Sequence, residues 1–422
     1  MPDVFLPKGT RDLLPAQMLP RLRVIATLRE VFARYGFEPL ETPGLERIET
    51  LLGKYGEEGD KLIFKVLKRG EGEERGEVDQ ALRYDLTVPL ARVIAMNPQI
   101  PLPFKRYQCS PVWRADRPQR GRYREFWQCD VDVVGSDDRV SDAEVLACFS
   151  DCYTALGFTG VTIQLNHRAW LRAMADALGA GAQETSLLIA LDKLDKVGPD
   201  GVSKELSARG FQTAQIDGLW HILETGEVPG GEAAEAELDQ ILSMTRALGV
   251  PEGRIKRDRT LARGLDYYTG AVFEAVVETP KIGSIGAGGR YDGLVGMFAG
   301  KRIPAVGVSV GLDRVITVMD ELGLNRDAGT STRVWVTVFH ADTRMASLQA
   351  AGALRAAGVP CEIALDGGKV GKQLKSADAR GVPYALVLGP DEIARGEVVL
   401  RDLRTGEQWS GPLDQAIARV RG

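Results

Sequence analysis

The sequence has only three histidines and five cysteines in 422 residues, and neither set is spaced for chemistry. His167, His221 and His340 fall in separate parts of the chain and form no ligand pair or catalytic dyad. Cys109, Cys129, Cys148, Cys152 and Cys361 are odd in number and include no C-x-x-C pair, which argues against a disulfide framework or a zinc site and fits a reducing compartment. No stretch approaches the roughly 18 consecutive apolar residues of a membrane span, and MPDVFLPKGTRDLLP lacks a basic region followed by an apolar run. A cytoplasmic chain without a membrane segment is expected. Positive charge is also in deficit: the formal net charge is -5, so any nucleic acid must be met by local basic surfaces. What is present is an ordinary globular composition, 44% hydrophobic and 26% charged, on a chain too long for one core.

The hydrophobic pattern divides the chain. Leu22, Ile25, Leu28, Phe32 and Tyr35, with Pro20 before and Gly36 after, predict an amphipathic helix over 20–35. From Phe37 to about residue 164, β-prone segments alternate with turns and with helical patterns at Val88–Met96 and Asp142–Leu156, which predicts an α+β domain around an antiparallel sheet. Residues from about 165 to 255 carry helical spacing (Leu187, Leu191, Leu194; Leu238, Ile241, Leu242, Leu248) and predict a helical insertion. Strand patterns return at 270–278 and 304–310, the latter running into a helix with Leu312, Val315, Ile316 and Met319 on one face. The first domain thus spans 1–322. GLNRDAGTST at 323–332 is a polar linker, and 333–422 alternates strand and helix patterns as in a small α/β domain.

The richest chemistry lies in FKRYQCSPVWRADRPQRGRYREFWQCDVDVVG (104–135), where seven cations from Lys105 to Arg124 are opposed in sequence only by Asp116 and Glu125. Arginine's planar fork suits phosphate, so the run is either a polyphosphate or nucleic-acid contact on a β-hairpin with the loop ADRPQRGR, or a solvated basic loop. As a strand, EFWQCDVDVV puts Phe126, Gln128, Asp130 and Asp132 on one face and Trp127, Cys129, Val131 and Val133 on the other. Beside arginines, such a polar row suits a zwitterion: carboxylates for its ammonium, arginines for its anionic oxygens.

Three further segments hold candidates. In TLARGLDYYTGAVFEA (260–275), Arg263 suits charge developing on a reacting phosphate, while Tyr267 and Tyr268 either orient a polar ligand or simply pack. IGAGGRYDGLV (285–295) has no P-loop order; its glycines make a turn or, beside Arg290 and Tyr291, let backbone approach a ligand. PAVGVSVGLDRVITVM (304–319) puts Arg314 in the first turn of a helix after a strand, where a guanidinium can lie on an adenine ring. Upstream, LRYDLTVPLARVIA (82–95) predicts a strand ending at Asp85 with Thr87 as the helix cap.

Together these segments resemble the class II aminoacyl-tRNA synthetases, specifically the histidyl-tRNA synthetase family, over essentially the whole chain. LETPGLE (40–46) is similar to motif 1, the arginine-rich hairpin to motif 2 and VGVSVGLDR (306–314) to motif 3; RGLDYY (263–268) and AGGRYDGLV (287–295) resemble the family's two histidine signatures. The resemblance implies that L-histidine is activated by ATP with Mg²⁺ and transferred to tRNA(His). It implies Arg114 and Arg263 on the α-phosphate, and Phe126 and Arg314 around adenine with Asp116 at its amino group. Arg122 would lie at the outer phosphates, and Asp85, Thr87 and Gln128 at the substrate ammonium. Asp132 and Tyr268 would take the imidazole nitrogens, in a pocket lined by Tyr267 and Tyr291. No residue is assigned as a metal ligand. Asp116 and Asp132 stand where many bacterial members carry glutamate, and LRYDLT where many have LRPEGT, variants that resemble eukaryotic-type members and need a closer approach to the ligand. Pro43 of the motif 1 segment implies a homodimer, and 333–422 resembles the family's anticodon-binding domain, with Lys369, Lys372 and Lys375 a basic stripe on one helix. The competing reading is a non-catalytic, synthetase-like histidine sensor that regulates histidine synthesis.

Overall fold

The computed structural model describes residues 4–54, 60–262, 267–325, 329–365 and 368–421. It divides into two compact units: residues 1–11 with 23–324, and residues 12–22 with 325–422.

The first unit is built on eight strands in the order β1-β5-β6-β11-β10-β9-β7-β8. These are β1 (Glu38–Pro39), β5 (Phe104–Trp113), β6 (Glu125–Val134), β7 (Val161–His167), β8 (Ile255–Arg257), β9 (Ala271–Val277), β10 (Gly286–Arg290) and β11 (Ala305–Gly311). Only the β1–β5 and β7–β8 pairings are parallel. A smaller antiparallel sheet pairs β4 (Val78–Leu82) with β2 (Leu45–Arg47) and β3 (Lys65–Leu67). Helices of eight or more residues are numbered separately: α1 (Pro15–Arg34), α2 (Thr87–Met96) and α3 (Val140–Ala155). Cys129, Val131 and Val133 of β6 and Val306, Val308 and Val310 of β11 meet α3 in the main core, so the alternation of polar and apolar residues along these strands gives the sheet one packed face and one open face.

The helical segment contains α4 (Arg168–Ala177), α5 (Glu184–Leu191), α6 (Leu194–Ala208), α7 (Thr213–Thr225) and α8 (Glu232–Ala247). Trp170, Leu187, Leu206, Leu219 and Ile222 form a core of their own. Two expectations change here. Residues 165–167 belong to β7, and α8 buries Leu238 and Ile241 in the sheet's core instead of in the helical one. Helical spacing reports a buried face but not which core receives it. Similarly, α1 starts at Pro15 and keeps Pro20 inside, forgoing one backbone bond. After β11 comes α9 (Leu312–Glu321).

The second unit has a five-stranded sheet, β13-β12-β14-β15-β16, from β12 (Val334–Val336), β13 (Cys361–Ile363), β14 (Tyr384–Val387), β15 (Val398–Asp402) and β16 (Gln408–Gly411). Its helices are α10 (Arg344–Ala356), α11 (Val370–Ala379) and α12 (Leu413–Arg421). Lys369, Lys372 and Lys375 are exposed at the start and along one side of α11, while Gln373 and Ala377 are buried.

Candidate active site

The open face of the large sheet is the floor of a cleft of about 850 Å³, within the size range of small-molecule sites. Its floor is a grid set by strand register. Ser110, Gln128 and Gly311 stand in one row, Gln108, Asp130, Ser309 and Ala287 in the next, and Arg106, Asp132, Gly307 and Gly289 in the third. The small residues are required. A Cβ on Gly307 would collide with the Asp132 carboxylate, and one on Gly289 would lie 2.6 Å from the Ala271 carbonyl oxygen and 2.9 Å from the Tyr268 ring. Gly286, Gly288 and Gly289 therefore lie in a central strand, and of the segment's glycines only Gly293 falls in a turn.

At one end the floor is acidic and buried. Asp132 lies 2.7 Å from the Arg106 guanidinium and accepts a hydrogen bond from the Tyr291 hydroxyl. Burial pushes its carboxyl up, against the pull of Arg106 and Tyr291. Tyr267 stacks edge-on against both Tyr268 (ring centroids 4.7 Å apart) and Tyr291 (5.7 Å), so the three phenols form one wall. Burial raises the Tyr268 and Tyr291 hydroxyls well above the usual range, which keeps both as neutral donors. Asp85 and Thr87 line the same end. The expected cap is reversed: α2 begins at Thr87, and the Asp85 carboxylate accepts from the Val88 N–H at 3.2 Å.

The other end is cationic. Arg114 is held by its Nε, which donates to the Tyr84 carbonyl at 2.9 Å, and its guanidinium stands 5.2 Å from the Phe126 ring centroid. Arg314, on the first turn of α9, donates to the Ser284 carbonyl at 2.6 Å. Asp116 and Arg122 line the cleft as an ion pair, 2.6 Å apart. The nucleotide roles expected of them therefore require the pair to open or to act as a unit. Arg263 lies outside the described residues.

The seven-cation patch does not survive folding as a patch. Arg106 is completely buried, ion-paired with Asp132 and hydrogen-bonded to the Leu86 carbonyl; Lys105 pairs with Glu144, and Arg120 with Glu321. Arg290, beside the glycines, likewise points away from the cleft and binds Asp142 and Ser141. Partners distant in sequence neutralise charges that look unopposed locally.

Several cleft residues escaped the sequence reading. Thr185, Leu188, Ile189, Asp192 and Lys193, from α5 and the turn after it, line the cleft together with Arg168. The N-terminal segment is another. Arg11 pairs with Asp313, and its guanidinium lies 3.7 Å from the Tyr123 ring centroid. The Gly9 carbonyl accepts from the Arg124 N–H at 2.8 Å, and Asp313 accepts from the Trp127 N–H at 2.9 Å. Residues 9–11 thereby tie the hairpin loop to the start of α9, the two elements that carry Arg122 and Arg314. Only the GTRD sequence marked them, and nothing in it names a partner.

The chain matches a family described as histidyl-tRNA synthetase over residues 9–315 and one described as anticodon binding domain over 333–422. A histidine–tRNA ligase from Cytophaga hutchinsonii is 41% identical over 447 residues, covering 98% of this chain and 99% of the relative. One from Aeropyrum pernix is 39% identical, with 98% and 97% covered. The crystal structure of histidyl-tRNA synthetase from Nostoc sp. PCC 7120 superposes with a TM-score of 0.84 at 31% identity, covering 99% of both chains. These relatives match across the whole length, C-terminal unit included, so the regulatory-sensor reading is not favoured. With a cleft that is acidic at one end and cationic at the other, and with these relatives over its full length, the chain belongs to the histidyl-tRNA synthetase family of aminoacyl-tRNA synthetases.

Proposed function

We propose that the acidic end of the cleft holds L-histidine and the cationic end holds ATP, so that the amino acid's carboxylate faces the α-phosphate. The polarity of one continuous cleft carries this reading: Asp85, Asp130 and Asp132 line one end and Arg114, Arg122 and Arg314 the other. A carboxylate is already a nucleophile at neutral pH, so no side-chain base is required. It attacks phosphorus, pyrophosphate leaves, and Arg114 with Arg263 stabilises the charge that accumulates on the phosphoryl oxygens. A ribose hydroxyl at the 3′ end of tRNA(His) then attacks the mixed anhydride and AMP departs.

Phe126 and Arg314 hold adenine with Asp116 at its amino group, and Arg122 meets the outer phosphates. Gln128 and Thr87 join Asp85 at the ammonium group. Tyr268 and Asp132 take the imidazole, with Tyr267 and Tyr291 enclosing it. Such a pocket discriminates strongly, because another side chain would leave its buried polar groups unpaired. Among the described residues no group of three or more His, Cys, Asp or Glu is placed to hold a metal. Mg²⁺ would be carried chiefly by ATP's phosphate oxygens and water, where it offsets phosphate charge.

The catalytic domain is assigned to 1–322 with its helical insertion, and the anticodon reader to 333–422. Exposed lysines on α11 support tRNA contact there. A cytoplasmic homodimer fits an exposed Pro43 and the 47% exposure of Leu45, and light scattering at micromolar concentration should return twice the chain mass. The decisive assay is ATP–pyrophosphate exchange with each amino acid in turn. Exchange with histidine alone, abolished in Arg263→Ala, is expected; tight histidine binding without exchange would overturn the assignment.

A further inference from the structure

Three carboxylates reach the acidic end of the cleft, and two have charged or hydrogen-bonding partners: Asp85 accepts from the Val88 N–H, and Asp132 accepts from Tyr291 through Oδ1 while its Oδ2, which has no hydrogen bond among the described residues, faces Arg106 in a 2.7 Å ion pair. The third is Asp130, in the middle row of the floor. It is 3% exposed, lines the cleft, and its Oδ1 has no hydrogen-bond partner among the described residues. Two residues earlier on the same strand face, the Gln128 Oε1 is also without a donor among the described residues. The Ser309 hydroxyl gives its one proton to Asp130 and so accepts from the Gln128 Nε2 at 2.7 Å, which leaves the amide oxygen as the available atom. Two adjacent buried acceptors lacking donors are uncommon in a folded protein and point to a ligand that brings donors.

Resting on the histidine-activation reading, we infer that Asp130 is a further substrate-binding residue: with Gln128 it receives the α-ammonium group of the bound amino acid. An ammonium has three donors and no acceptor, which matches acceptors that have no donors. The imidazole already has Asp132 and the tyrosine wall; at the ammonium, Asp85 is partly engaged by the Val88 N–H, which leaves room there for a second carboxylate.

The groups around Asp130 give this inference a second readout. On its own strand are Gln128 and Asp132; on β5 are Arg106 and Gln108; on β11 is Ser309, which donates to it; Asp85 adds charge of the same sign. Arg83 is farther off and engaged with Glu41 and Thr42. Burial, opposed by Arg106 and reinforced by Asp132, pushes the Asp130 carboxyl up to about 7. A cation beside it favours the ionised form. Histidine binding near pH 7 therefore expels a proton, and affinity rises as pH passes upward through 7.

The test is isothermal calorimetry at pH 7 in two buffers of different ionisation enthalpy, with histidine, histidinol and 3-(imidazol-4-yl)propionate, which lacks the amino group. For the unaltered chain, histidine and histidinol should release more protons than the des-amino compound, whose identical imidazole sets the baseline. Asp130→Asn should weaken histidine and histidinol about tenfold to a hundredfold, leave the des-amino compound unchanged and abolish the extra proton release. Equal weakening of all three ligands would move the contact to the imidazole and overturn the inference, as would unchanged histidine affinity. Asp130→Ser serves if the asparagine variant does not fold, and the proton count of the unaltered chain needs no variant. Histidine-dependent pyrophosphate exchange with no effect at Asp130 sinks this inference alone; absence of exchange in the unaltered chain sinks the reading beneath it.

Discussion

The two ends of the β5–β6 hairpin are written in similar residues and put to opposite uses. At the base, Arg106 is wholly buried against Asp132; at the tip, Arg122 and Arg120 pair with Asp116 and Glu321 while remaining 42% and 74% exposed. A buried pair has lost its water and has nothing to exchange for its partner, so it is scaffold. An exposed pair trades partners with solvent at little cost and can give its cation to a phosphate. Arg114, between the two, combines a fixed anchor on the Tyr84 carbonyl with a guanidinium that still faces the cleft.

This contrast can be broken by substitution. Arg106→Ala should have the largest effect, because it strands Asp132 and Asp130 without their buried cation: about 3–5 kcal/mol of stability lost, measured by urea unfolding. A loss under about 1 kcal/mol would mean that the base is no scaffold. Arg114→Ala comes next, lowering kcat of pyrophosphate exchange about 10²–10³-fold with a much smaller stability change, as for removal of one preorganised charge-stabilising donor. An equal fall in stability would erase the distinction between base and middle. Arg122→Gln should have the smallest effect on folding, below about 1 kcal/mol, and should act instead by raising the KM for ATP. If it proved as destabilising as Arg106→Ala, exposure would be no guide to function in this hairpin.

Those substitutions also mark what was legible beforehand. The period of two along β6 separated cleft from core correctly, since side-chain alternation is local geometry that a strand cannot avoid. The type of domain followed from similar local patterns. Long-range pairing was not legible. Arg106 and Arg290 looked like ligand-binding cations because Asp132 on the neighbouring strand and Asp142 on α3 are not their sequence neighbours. Glycines at 286, 288 and 289 looked like a turn because what requires them is tertiary: the backbone of the neighbouring strands at Gly288 and Gly289, and the Tyr153 and Phe149 side chains of α3 at Gly286. At the start of α2 the cap was expected at Thr87, but the Asp85 carboxylate takes the Val88 N–H; both are good capping residues, which spacing alone does not tell apart.

The sheet order has a further consequence, for synthesis. β6 is a central strand: its partner β5 precedes it directly, but β11, on its other side, is translated only after the helical segment, and Asp313 stands 302 residues from the Arg11 it receives. A chain leaving the ribosome N-terminus first must carry the finished hairpin with one edge unpaired until the residues beyond 305 emerge. That edge is a template for pairing with other chains, and its closure waits on contacts of high sequence separation. Core and cleft are therefore completed in one late event, and nascent chains that stop short of β11 have neither.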